Sequence, residues 1–215
     1  MGGRSECPIC GEELKGGRCP RCGHLTNDEI FGDSRDHTVA DQTDFKKKTF
    51  VRREKGLQSA LVQLKEVALS SDIQDSASDT VSSALLLLNL PMEMETRSTI
   101  NLDDSEKEVV RTAHEVVERL DMVKGGPVHP HEIYIRLGNA FYTLGDHALA
   151  KAYYDKAILR SPSNKIALYN RAVAMFALSE YDACVRSLEK LLNIDPDYEK
   201  ALHLKELARQ MDGRN

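Results

Sequence analysis

The sequence predicts a mainly α chain that ends in a helical solenoid, on three observations. Residues 131–164 and 165–198 are blocks of equal length that overlay without a gap. Each block carries apolar residues at three- and four-residue steps, the spacing of a helix face. Aromatic residues make up only 6% of the chain and Trp is absent, which suits helices better than a β-sandwich. A 34-residue period built from two amphipathic helices is the mark of a stacked helical array.

In chain order, the first element is a pair of knuckles. Cys7-Pro8-Ile9-Cys10-Gly11 and Cys19-Pro20-Arg21-Cys22-Gly23 are two copies of one pattern, eight residues apart. Four thiolates at this spacing suit a closed tetrahedral zinc site, structural rather than catalytic because no coordination position stays open. Gly16-Gly17 reads as a hairpin tip between them. So short a piece holds no core, so bound metal would supply its folding free energy. Residues 1–25 resemble the small zinc ribbons found at the ends of many prokaryotic proteins. Disulfides fit poorly with an N-terminus that shows no leader pattern. A rubredoxin-like iron site places its knuckles farther apart, and a redox pair belongs at a helix start in an α/β pattern. His24 is a spare candidate ligand.

Residues 26–56 read as a polar linker. Its first half is acidic, with Asp28, Glu29, Asp33, Asp36, Asp41 and Asp44 against Arg35. Residues 46–55 then reverse the sign, with Lys46, Lys47, Lys48, Arg52, Arg53 and Lys55 around Phe50. Such a run is able to touch phosphates, but a solvated segment leaning on the acidic half is the favoured reading.

Residues 57–124 read as three helices of no recognised family. Leu57, Ala60, Leu61, Leu64, Val67 and Ala68 keep helical spacing; so do Ile73, Ala77, Val81, Ala84, Leu85 and Leu88, ending at Pro91. Residues 92–100 read as a loop. Asp103-Asp104-Ser105-Glu106 offers helix-start chemistry. Val109, Val110, Ala113, Val116, Val117, Leu120 and Val123 make one stripe, stopped by Gly125-Gly126-Pro127. The last of these helices is expected to cover the open face of the first repeat; a dimerisation or partner surface is the competing reading, so self-association stays open.

In the first repeat, Ile133, Leu137, Ala140, Phe141 and Leu144 share a face, and Gly145-Asp146 breaks that helix and caps the next. Leu149, Ala150, Tyr153, Tyr154, Ala157 and Ile158 make the second face, ended by Ser161-Pro162. Gly138 and Ala150, matched by Ala172 and Cys184, let paired helices approach closely. With Tyr134, Leu137-Gly138, Phe141, Ala150, Tyr154, Ala157 and Pro162 at their offsets, the block resembles a tetratricopeptide repeat (TPR). The second block departs, with Leu168, Arg171-Ala172, Met175, Cys184, Leu188 and Leu191, but closes on Pro196. A capping helix over residues 199–211 completes a repeat region of residues 131–212.

The resemblance implies a concave groove lined by the first helix of each pair. Its residues would be Ile135, Arg136, Asn139 and Tyr142, then Tyr169, Asn170, Val173 and Phe176, then Lys200, His203 and Leu207. Amides to hold a backbone and aromatics to bury side chains suit a peptide. Similar chaperone-binding domains clamp a terminal carboxylate at five positions. Asn139, Asn170 and Lys200 fit three of them, but Ile135 and Leu204 stand where basic residues are needed.

No phosphate loop, nucleophile elbow or HExxH stands in the chain, and the histidines at 114, 129, 131, 147 and 203 are scattered. Cys184 reads as a packed thiol, and His129-Pro130-His131 as a linker rather than a metal pair. Net charge is −5, against general nucleic-acid binding, and no apolar run approaches a membrane span. The expectation is a cytoplasmic, non-enzymatic adaptor with structural Zn2+ and a protein or peptide ligand. A nucleic-acid-associated regulator using the ribbon and residues 46–55 is the alternative.

Overall fold

The computed structural model describes residues 39–70, 76–96, 100–125 and 128–213, with side chains from Arg53 onward. The chain divides into two units, residues 1–51 and 52–215. The cysteine knuckles at Cys7, Cys10, Cys19 and Cys22 lie outside the described residues.

The described residues form eight α-helices and no strand. These are α1 (Val39–Leu69), α2 (Ala77–Leu86), α3 (Asp104–Lys124), α4 (His131–Thr143), α5 (His147–Arg160), α6 (Lys165–Ala177), α7 (Tyr181–Ile194) and α8 (Glu199–Asp212). The helix expected to begin at Leu57 begins at Val39, inside the stretch read as a linker. Lys46, Lys47, Lys48, Arg52, Arg53 and Glu54 are straight-chain helix formers that need no apolar stripe. Gly56 within the helix costs only about 1 kcal/mol.

The three helices before the repeats bury much of the stripes read from their spacing; Ile73, read at the start of the second stripe, lies outside the described residues. Leu57, Leu64, Val81, Ala84, Val109, Val110, Ala113, Val116 and Val117 are all in the core. Val123, read as part of the last stripe, is 61% exposed. It lies in the final turn of α3, just before the left-handed Gly125 that ends the helix. At the other end, Asp103 accepts from Glu106 N while Glu106 accepts from Asp103 N, a reciprocal cap. Glu106 also pairs with Arg53 of α1, which in addition donates to Leu88 O.

Helix α3 lies against the first repeat. Tyr134 donates to Asp121 Oδ1 at 2.7 Å, and Tyr153 donates to Glu118 Oε1 at 2.9 Å. Lys156 bridges Glu118 at 2.6 Å and Asp121 at 3.0 Å. His114 sits edge-on to Phe141 and Tyr153. His129, read as linker, is buried, with its Nδ1 2.7 Å from Ser78 Oγ of α2.

Within the first repeat, Gly138 of α4 meets Tyr154 of α5. A Cβ on Gly138 would stand 2.7 Å from Tyr154 Cδ1 and 2.9 Å from Cζ, inside the ring's own space. The small residue is therefore required by the aromatic that the second helix presents. Asp146 caps α5 by accepting from Leu149 N at 2.9 Å, after Gly145 turns the chain at φ +84°. Leu144, read as part of the inward face, is at 36% exposure because this turn begins there. The second repeat makes the same turn with Ser179, at φ +61°. Helix α8 closes the array through Ala201, Leu204 and Ala208, all buried.

Candidate functional site

The groove side of the repeats is built by the first helices, α4 and α6, and by the approach to α8. On α4, Ile135, Asn139 and Tyr142 recur at four- and three-residue steps; on α6, Tyr169, Asn170 and Val173 share the matching face. All six are buried, and what meets the two asparagines is the chain's own backbone. Residues 91–95, in the connection between α2 and α3, run along this face as a strap.

The polar geometry is complete. Asn139 Nδ2 donates to Pro91 O at 2.6 Å and to Met92 O at 3.1 Å. Asn170 Nδ2 donates to Met92 O at 2.6 Å and to Asn139 Oδ1 at 2.9 Å. Asn170 Oδ1 accepts from Met94 N at 2.9 Å, and Asn139 Oδ1 accepts from Tyr154 OH at 2.8 Å. Reversing either amide would set donor against donor, so this network fixes both. A segment outside regular secondary structure must satisfy its buried N–H and C=O groups somewhere, and here two side chains do it.

The strap's side chains divide by chemistry. Met94 is buried in the same core as Tyr142, Tyr169 and Val173, and Met92 packs against that core. Burying a methionine contributes about 1.5–3 kcal/mol. Glu93 accepts from Tyr198 OH at 2.5 Å and from Lys200 Nζ at 2.6 Å. Burial would raise its pKa, but the hydrogen bonds from Lys200 and Tyr198 outweigh this and hold it below the usual carboxylate range. Pro91 and Glu95 face solvent. Tyr198 in turn lies 5.6 Å from the ring of Tyr169, whose own hydroxyl is pushed up to about 12 by burial and by Glu93 and Glu95 nearby.

Of the residues read as groove-lining, Asn139, Asn170 and Lys200 are brought together on this strap. Tyr142, Tyr169 and Val173 are in the core beside it. Arg136 and Phe176 are half-buried and touch none of its polar groups; the Phe176 ring meets Tyr181 instead, at 5.4 Å. His203 is exposed. The three positions that fit a terminal-carboxylate clamp hold internal carbonyls and a glutamate side chain here. Sequence reasoning passed over Pro91 as a helix end, residues 92–95 as loop, and Tyr198 as the end of a block. The signal was present in Pro-Met-Glu-Met-Glu, an apolar–acidic alternation with nothing regular around it.

Cys184 is buried, and burial pushes its thiol up to about 12, which keeps it a packed group without thiolate character. Among the described residues no cluster of three His, Cys, Asp or Glu is arranged to hold a metal. No helix among them is long and apolar enough to cross a membrane.

Two family models, each described as tetratricopeptide repeat, match residues 131–164 and 166–198. The chain is 38% identical over 73 residues to an inactive TPR repeat-containing thioredoxin of Arabidopsis thaliana, covering 34% of this chain and 10% of that protein. It is 36% identical over 66 residues to a TPR repeat-containing thioredoxin of the same plant, 31% of this chain and 10% of the relative. It is 35% identical over 77 residues to small glutamine-rich tetratricopeptide repeat-containing protein 2 of Saccharomyces cerevisiae, 36% of this chain and 22% of the relative. The chain thus spans at most 22% of the length of these curated relatives. Residues 131–164 and 166–198 thus match tetratricopeptide repeats, and proteins with such repeats generally mediate protein–protein interactions.

Proposed function

We propose that this chain is a non-enzymatic adaptor that holds a protein partner through the groove face of its repeats. One observation carries the reading: the groove holds a stretch of irregular backbone through Asn139 and Asn170, the chemistry a peptide ligand needs. Arg136 and Phe176, half-buried on the same two helices and outside the strap's hydrogen bonds, are the cation and aromatic assigned to the partner in this reading. Zinc on Cys7, Cys10, Cys19 and Cys22 would make residues 1–25 a second, structurally held module, and the setting is cytoplasmic. The nucleic-acid reading loses one of its basic groups, since Arg53 is engaged by Glu106 and Leu88 O.

The test is a tagged full-length chain used as bait in native lysate, with and without nuclease, followed by mass spectrometry. Protein partners that survive nuclease and are lost from a Phe176→Ala, Arg136→Glu variant are the expected result. Partners that vanish with nuclease would overturn it, as would a salt-steep shift of labelled nucleic acid lost on neutralising Lys46, Lys47 and Lys48.

A further inference from the structure

We propose that residues 91–95 are a cis occupant that gates the groove, and that the groove reads the same pattern in trans: a short non-helical peptide with apolar, acidic and apolar residues in succession. The pattern is that of Met92, Glu93 and Met94. Two asparagines read the backbone carbonyl and amide that flank the acidic position. Tyr198 and Lys200 read the acidic side chain, and the core takes the second apolar side chain. Each of these recognition elements belongs to the repeats and their cap; none belongs to the strap.

The strap is built to leave. Only Met94 of its five residues is fully buried, while Pro91 and Glu95 are exposed. Its upstream end turns at Asn89, which takes the left-handed backbone at φ +51° that asparagine accepts after a helix end. The helices on either side, α2 and α3, hold to the rest of the chain through other contacts: Ser78 to His129, and Glu118 and Asp121 to Lys156. Opening the strap therefore uncovers Met94 and the repeat residues beneath it and releases the bonds to Asn139, Asn170, Tyr198 and Lys200, while those anchors stay made. A groove covered this way binds a competing peptide with an affinity reduced by the fraction of molecules that are open. Gating presupposes the interaction reading above, since only a groove that takes a peptide has something to gate.

The experiment uses the full chain and a fluorescent synthetic peptide of residues 88–97 with both ends blocked, read by anisotropy. Glu93→Ala weakens the cis strap while leaving Tyr198 and Lys200 free for the glutamate of the added peptide. The variant is expected to bind about tenfold more tightly than the wild type, the effect of losing a charge-assisted bond that is partly solvent-screened. A peptide with Ala at the position of Glu93 should lose that gain. Hydrogen exchange of the Met94 amide should quicken when the natural peptide is added. Glu93→Gln serves in the same role should Glu93→Ala fail to fold. Equal binding by wild type and variant, or binding to neither when both are folded by circular dichroism, overturns the proposal. So does a wild-type Met94 amide that exchanges only with global unfolding. Nuclease-resistant partners together with a failed peptide test would sink the strap alone; a successful peptide test without such partners would keep a peptide-binding groove and its gate and sink only the claim that it recruits a protein partner.

Discussion

Asn170 donates its side-chain amide to Asn139 at 2.9 Å, from the second repeat to the first, and the pair shares Met92 O as a common acceptor. Every lone pair and proton the two amides spend here goes to a named partner. Asn170→Ala would leave the Met94 N–H unpaired in a buried site. It should destabilise the fold by about 1–3 kcal/mol in a denaturant titration. Asn139→Ala should cost a similar amount. Because the two share bonds, the double variant should lose less than the sum. Strict additivity would mean that the amides act independently and that the shared network is not a unit.

Gly138 and Tyr154 compete for one volume. Gly138→Ala should already cost about 1–3 kcal/mol by overpacking, and Gly138→Leu more. The clash would also pull Tyr154 OH off Asn139. A thermal melt of Gly138→Ala that matches wild type would show that the ring has room to retreat.

Ser179 stands where the first repeat has Gly145, and both take a left-handed backbone. A residue with a Cβ is strained there and glycine is not. Ser179→Gly should therefore stabilise the chain, by about 0.5–1 kcal/mol. A lower melting temperature for this variant would reverse the sign and rule out strain at the turn.

Stability should depend on pH in two steps. Burial lowers the pKa of His129 below its ordinary 6.5, against a raising contribution from Asp121 and with a further lowering by Lys156. The folded state thus prefers neutral His129: its contribution is whole above about pH 6.5 and is lost as pH falls below that. Glu93 and Glu118 are held below their ordinary 4.5, where Lys200 and Tyr198, and Lys156 and Tyr153, outweigh the opposing effect of burial. Their contribution is present above about pH 4.5 and is lost beneath it. Denaturation midpoints from pH 8 to pH 3.5 should fall in these two windows, and His129→Asn should flatten the upper one. A midpoint that stays level between pH 7 and pH 5 would remove His129 from this role.

If the four thiolates near the N-terminus hold zinc as proposed, Cys19→Ser should lose the bound metal while the helical melt of the repeats stays nearly unchanged. Atomic absorption and circular dichroism on the same preparation check both halves. A large loss of helix signal would tie the repeats to the metal site.

The sequence by itself determined the helices and their pairing. Three- and four-residue spacing told which faces of α2 to α7 were apolar, and the 34-residue overlay told that α4–α5 and α6–α7 were equivalent pairs. These signals are local and periodic, so they survive in a single sequence. The start of α1 was less legible because straight-chain charged residues form helix without an apolar stripe, and Val123 kept the stripe's period but stays 61% exposed among the described residues. The asparagines were singled out only through the resemblance to tetratricopeptide repeats, which implies that they line a groove. What only the tertiary structure decided is what they hold. Residues 91–95 have no period and no motif of regular structure, and they meet Asn170 and Lys200 from 76 and 107 positions away. That juxtaposition is made by α2 and α3 packing on the first repeat. It depends on how buried backbone groups far apart in the chain find partners, which no local spacing encodes.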